Sequence, residues 1–167
     1  MLRCVLAALA VSCAGSVVAS DLAAAEAQIS EATPRTTRAA WFKHQPWNSN
    51  LPEVKKTGSG LEYVIIASGP ASGATVRADQ AVQLWYEGRL NSGGRAFDSS
   101  FQRGKPDVYA VNELVPGFSE ALQLMRPGDK WLIYIPATLA YGDRGVPGLF
   151  GPGEALLFEI HLVSAAG

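Results

Sequence analysis

The chain has 167 residues, of which 48% are hydrophobic and 17% charged, enough apolar material for one packed domain with a short addition. Its 14 Lys+Arg balance 15 Asp+Glu, so no basic face points to nucleic acid and no charge block points to a solvated tail.

The opening run MLRCVLAALAVSCAGSVVAS sets Arg3 before an apolar stretch that ends in small residues, the layout of a secretory signal peptide over residues 1–20. It is too short and too rich in small residues for a stable membrane span. Both cysteines, Cys4 and Cys13, fall inside it, so the exported chain is expected to carry no disulfide and no thiol, as suits a bacterial periplasm. Cys13 offers lipoprotein anchoring as an alternative, but Ala10 stands where a larger aliphatic is usually wanted, which favours an ordinary leader residue.

Residues 21–58 form an N-terminal extension. DLAAAEAQISEA has the composition of a short helix, and the following stretch through LPEVKKTGSG shows neither a strand nor a long helical period. Its aromatics, Trp41, Phe42 and Trp47, lie among proline and asparagine and are expected to dock on the main body. An aromatic interaction tail is the alternative.

From Leu61 the texture becomes β-rich. LEYVIIA is a strand closed by the turn cluster SGPASG. AVQLWYEGRL places Val82, Leu84 and Tyr86 on one face and Gln83, Trp85 and Glu87 on the other, the alternation of a half-buried strand. NSGG turns the chain, RAFDSS is a short strand entering a loop, and VYAV is another short extended piece. In ELVPGFSEALQLM, Phe118, Leu122 and Met125 recur at helical spacing, with Pro116 and Gly117 at the start and RPGD ending the pattern. KWLIYIP and ALLFEIHLV are strands, the second with Leu156, Phe158, Ile160 and Leu162 on one face. Between them the glycine-rich LAYGDRGVPGLFGPGE reads as a flap carrying Leu149 and Phe150. The sum is an α+β fold: an antiparallel sheet of about five strands against one short helix.

The usual chemistries find little support. Beyond the leader, His44 and His161 are too far apart in sequence to make a metal-ligand spacing. A hydrolase would need a serine on a sharp turn, whereas Ser99 and Ser100 follow an acid in what reads as a loop, and His161, mid-strand, reads as a half-exposed residue. The flap glycines have neither the lysine nor the strand-to-helix setting of a phosphate loop. On the residues alone Asp98 is a turn former, and Tyr86 and Tyr141 are core aromatics with a polar tip.

Taken in order, YEG, FDSS, LVPGFSEALQLM, IYIPATLAYG and GPGEALLFEIHLV resemble the FKBP family of peptidyl-prolyl cis/trans isomerases, in particular its bacterial macrophage infectivity potentiator subfamily. The resemblance runs from about Ser59 to Ala165, which makes residues 59–167 the isomerase domain, and it leaves out residues 21–50. It implies a twisted antiparallel sheet wrapped on one helix, with a prolyl pocket between them. Carried over by position, it implies catalytic roles for Asp98, Tyr141 and Tyr86. It implies substrate contacts from Phe97, Tyr109, Leu114, Val115, Phe118, Leu149, Phe150 and Phe158, with Arg103 as a partner of Asp98. The family usually has tryptophan at the pocket floor, where this sequence has Phe118.

The resemblance further implies proline-containing polypeptide clients, FK506/rapamycin-type macrolide ligands, and no metal or cofactor. A non-catalytic proline-binding chaperone or scaffold using the same pocket is the alternative that Phe118 motivates. The extension lacks a long heptad run, so a monomer is expected.

Overall fold

A computed structural model describes residues 38–166, with side chains from Trp41 onward. The leader, the alanine-rich stretch and Cys13 lie outside the described residues. The elements in order are α1 (Arg38–Lys43), β1 (Lys55–Lys56), β2 (Glu62–Ala67), β3 (Ala81–Leu90), β4 (Ala96–Ser99), α2 (Ser100–Arg103), β5 (Asp107–Ala110), α3 (Pro116–Leu124), β6 (Lys130–Ile135) and β7 (Leu156–Ala166). Among the described residues no helix is long and apolar enough to cross a membrane.

The strands form one antiparallel sheet in the order β1-β2-β6-β7-β3-β4, with β5 also paired to β3. It has seven strands rather than about five because short edge pieces pair as well, including Lys55–Lys56 in a stretch whose sequence shows no strand pattern. The expected α+β arrangement stands: the sheet packs its apolar face on α3. That helix starts where a proline fits its first turn, with Val115 as extended N-cap and Pro116 next. Phe118, Ala121, Leu122 and Met125 all point into the core with 0% exposure.

Register explains the inner face. Tyr86 lies opposite Ile160, and Ile160 opposite Trp131; Gly88, Phe158 and Ile133 form the next row, and Leu90, Leu156 and Ile135 the third. Apart from the glycine these side chains belong to the main core. Because side chains alternate along a strand, the intervening rows lie on the opposite face. There Glu87, Glu159 and Leu132 line up in one row and Trp85, His161 and Lys130 in another.

That outer face is not the solvated face the alternation predicts. His161 is 2% exposed, a correction to its reading as half-exposed. Two other parts of the chain cover it: Phe101 of α2 meets its ring edge to face at 5.1 Å, and Trp41 reaches its neighbour Glu159. Trp41 packs with Leu132 and Leu157, joined by Trp47 and Tyr134. Trp41 and Trp47 thus dock as expected, whereas Phe42 is 78% exposed and does not.

Candidate active site

The site grows from the edge of β3 that faces away from β7. Two short strands share that edge: β5 pairs with Ala81 to Leu84, and β4 with Glu87 to Arg89. Between them the ladder is interrupted at Tyr86, and Ser100 fills the gap, its Oγ accepting from the Tyr86 amide at 2.8 Å and donating to the Tyr86 carbonyl at 3.3 Å. Ser99 caps α2 by accepting from the Gln102 amide at 3.3 Å. The two serines therefore have local work that fixes where Asp98 and Arg103 emerge, on either side of a single helical turn.

Asp98 and Arg103 meet over Tyr86. The Tyr86 hydroxyl donates to Asp98 Oδ2 at 2.6 Å and accepts from Arg103 Nη2 at 2.8 Å. Arg103 Nη1 donates to Asp98 Oδ1 at 2.5 Å, and the guanidinium carbon lies 5.5 Å from the centre of the Tyr86 ring. Both oxygens of Asp98 thus carry a donor. Burial, reinforced by Asp98 and Tyr109, pushes the Tyr86 hydroxyl far above the usual phenol range, so it stays protonated as a donor. Tyr109 is pushed up as well, chiefly by burial, and its hydroxyl lies 3.0 Å from that of Tyr86.

Sequence reasoning missed Asp107, which completes this network. Its Oδ2 accepts from Arg103 Nη2 at 2.5 Å and from the Tyr109 hydroxyl at 3.2 Å. The available signal was its spacing, four residues after Arg103 and two before Tyr109, in a segment read only as the approach to a strand. Burial works against the Arg103 charge, but Asp98 and Asp107 outweigh it and hold the guanidinium firmly protonated.

The apolar part of the site is a continuous set of rings. Phe118 stands perpendicular to Phe158 at 5.1 Å and to Tyr86 at 6.4 Å. Phe97 meets Phe158 edge to face at 5.6 Å, Phe150 at 5.4 Å continues the series from the flap, and Tyr141 closes it at 5.6 Å from Phe150. Such tilted and edge-to-face pairs suit the ring quadrupoles. Gly88 makes the arrangement possible: a Cβ there would lie 2.5 Å from Phe158 and 2.7 Å from Phe97. Tyr86, Phe118 and Phe158 are fully buried, while Phe97, Tyr109, Tyr141 and Phe150 are partly exposed around them. Leu114 and Val115 are buried in the same core at the approach to α3.

Leu149 stands apart from the ring contacts and meets the turn before β4 through its carbonyl, which accepts from the Arg95 guanidinium. The flap folds back on itself, with the Val146 amide donating to the Phe150 carbonyl at 2.9 Å and the Phe150 amide to the Val146 carbonyl at 3.1 Å. Gly145, at φ +59°, permits this, since a Cβ would come within 2.5 Å of Phe150 and Gly151 backbone. Beside the rings a groove of about 370 Å³ runs along Ala96, Phe97, Asp98, Ser99, Gln102 and Arg103.

The ring cluster is thus bordered on one side by a carboxylate that has a donor on each oxygen, and the groove beside it is lined mainly by polar side chains. Residues 73–163 match the family model of the FKBP-type peptidyl-prolyl cis-trans isomerases. The chain belongs to this family. Among FKBP-type relatives, the peptidyl-prolyl cis-trans isomerase Mip of Coxiella burnetii is 43% identical over 117 residues, covering 70% of this chain and 50% of its own length. The chain thus spans half of that relative. The macrophage infectivity potentiator of Trypanosoma cruzi is 39% identical over 163 residues, covering 96% of this chain and 80% of its own. The crystal structure of a peptidyl-prolyl cis-trans isomerase from Pseudomonas syringae pv. tomato superposes with a TM-score of 0.66 at 30% identity, over 81% of this chain and 100% of that one. The FKBP match starts at residue 73, so β1, β2 and the docked segment lie outside the matched residues although the first two belong to the sheet.

Proposed function

We propose that the chain is a peptidyl-prolyl cis/trans isomerase that assists the folding of exported proteins, acting through residues 59–167. The observation that carries this reading is the meeting, in an FKBP-family chain, of the buried Tyr86–Phe118–Phe158 rings with an Asp98 whose two oxygens are both occupied.

An X-Pro bond isomerises slowly because amide resonance resists twisting, with a barrier of roughly 18 to 20 kcal/mol and times of tens to hundreds of seconds. At the halfway twist resonance is lost and the carbonyl is less polar. A dry aromatic cleft therefore disfavours the planar amide more than the twisted one, and binding energy becomes rate. In this reading Phe97, Phe118, Phe150 and Phe158 hold the proline ring, with Leu114, Val115, Tyr109 and Leu149 completing the wall. The Tyr141 hydroxyl donates to a substrate carbonyl. Asp98 is the organiser of Tyr86 and Arg103, because a carboxylate already accepting from both is poorly placed to take a proton from substrate. FK506/rapamycin-type macrolides are the small-molecule ligands expected of the same cleft. The chain acts as a monomer after loss of residues 1–20.

Proline-limited refolding of a small substrate protein tests the activity. Pure leaderless chain should accelerate the slow phase, Asp98→Val should reduce kcat/KM by roughly 10-fold, and Tyr141→Phe by about 3-fold, the scales of a charged and a neutral hydrogen bond. Absence of acceleration with peptide binding retained would replace the enzyme by a non-catalytic proline-binding chaperone. Unchanged kinetics in both variants would remove Asp98 and Tyr141 from the site. For export, intact mass of the periplasmic form should correspond to a start at Ser20 or Asp21; a retained Met1 refutes cleavage, and an added diacyl mass moves the anchor to Cys13.

A further inference from the structure

The flap and the N-terminal segment, more than a hundred residues apart, are joined through one turn. Residues 91–95 connect β3 to β4, closed by the Leu90 amide donating to the Arg95 carbonyl at 3.0 Å and the Gly94 amide to the Leu90 carbonyl at 2.9 Å. The N-terminal segment grips this turn twice. Gln45 Nε2 donates to the Leu90 carbonyl at 3.0 Å, and the Trp47 amide donates to Asn91 Oδ1 at 3.0 Å. The approach is close enough that a Cβ on Gly94 would come within 2.9 Å of the Gln45 side-chain nitrogen.

The turn in turn grips the flap. The Asn91 amide donates to the Ala155 carbonyl at 3.0 Å, the Ser92 amide to Glu154 Oε1 at 3.0 Å, and the Arg95 guanidinium to the Leu149 carbonyl. Arg95 precedes Phe97 by two residues, and Leu149 immediately precedes Phe150, whose ring lies 5.4 Å from that of Phe97. The hydrogen bond and the ring contact therefore make a two-point clasp between the approach to β4 and the flap.

We propose that Arg95 is a positioning residue that clasps the flap onto the mouth of the aromatic site, and that Gln45 and Trp47 of the N-terminal segment set the turn that carries it. A clasped flap presents Leu149 and Phe150 already ordered, so a proline-containing segment does not bear the cost of ordering them. Loss of the clasp weakens substrate binding and leaves the twisting step nearly intact, a rise in KM at constant kcat. This kinetic arm rests on the proposed isomerase reading; the motion of the flap does not.

The test uses the full chain and two readouts: isomerase kinetics on a short prolyl peptide, and amide hydrogen exchange at Val146 and Phe150, measured without substrate. Arg95→Met should raise KM by about 3- to 10-fold with kcat within about twofold, and speed exchange at both amides by a similar factor, the scale of one hydrogen bond. Arg95→Lys, which keeps a charged donor, should restore part of both. Gln45→Ala should act in the same direction by less, and the Arg95→Met/Gln45→Ala double variant should be no worse than Arg95→Met alone, the sign of a shared path. Unchanged exchange in Arg95→Met overturns the clasp, and full additivity in the double variant overturns the link to the N-terminal segment. A wild-type chain without isomerase activity would refute the proposed function, and exchange alone would then decide the clasp.

Discussion

The two faces of the central strands are both buried, by opposite chemistry. On the inner face the rows of β3, β7 and β6 present Tyr86, Phe158, Ile160, Ile133 and their apolar neighbours to α3. On the outer face Glu62, Glu87, Glu159 and His161 are each 3% exposed or less. A carboxylate out of water is costly unless donors replace the water, and here each acid has them. Glu159 accepts from Trp41 Nε1 at 2.7 Å and meets His161 Nε2 at 2.6 Å. Glu62 accepts from Trp47 Nε1 at 2.7 Å and from Lys56 at 2.9 Å, and Glu87 accepts from Arg89 and Ser99. Arg89 in addition lies 4.5 Å from the centre of a Trp41 ring. The indoles of the N-terminal segment thus exclude water and supply the hydrogens that water would have given. The inner face shows that an apolar surface is covered by packing alone, and the outer face what a polar surface requires before it can be covered.

The contrast can be broken most severely from inside. Phe158→Ala removes a ring that three other rings touch and should cost about 3 to 5 kcal/mol by urea denaturation, together with loss of prolyl-peptide binding. A cost below about 1 kcal/mol would mean that the ring cluster is not a stabilising core.

Next in size, Trp41→Phe keeps a ring over Leu132 and Leu157 but takes one donor from Glu159. It should cost about 1 to 3 kcal/mol, the penalty of leaving a buried charged acceptor short of a partner. A stability equal to wild type would show that the outer face tolerates a buried acid short of a donor.

The smallest effect concerns acid. Burial opposes ionisation of Glu62, but hydrogen bonds from Ser49, Lys56 and Trp47 outweigh it and hold its carboxyl below the ordinary 4.5. Because the folded chain binds the proton less readily than the unfolded one, the contribution of Glu62 is full above pH 4.5 and is lost as pH falls through the depressed value. Glu62→Gln should therefore be less stable than wild type near neutrality, and the two should converge below pH 4.5. Parallel denaturation midpoints across that range would remove Glu62 from the acid sensitivity of the fold.

How much of this is legible without coordinates differs between the same two regions. The alternation of Val82, Leu84 and Tyr86, the spacing of Phe118, Leu122 and Met125, and the proline that opens α3 all identify the inner face, because local periodicity and burial agree there. The candidate ring residues follow from ordered family motifs, and the structure brings them into contact. Local reading fails on the outer face for a definite reason. A polar residue at every second position of a strand ordinarily marks solvent, yet His161 and Glu159 are covered by Trp41 and Phe101, and the Trp41–Glu159 bond spans 118 residues. Asp107 and Arg95 escaped for a related reason: each is an ordinary charged residue beside a turn until its partner from another segment is in place.

By itself, then, the sequence determined the longer strands and the helix that opens at Pro116, since these depend on residue type and on periods a few residues long, while the set of ring residues came from the order of family motifs. Only the tertiary structure decided which carboxylates are buried, which indoles supply their hydrogens, and that Arg103 stands between two acids. Those outcomes depend on where separate stretches of chain cross, and a hydrogen-bond donor is specified by position in space rather than by distance along the sequence.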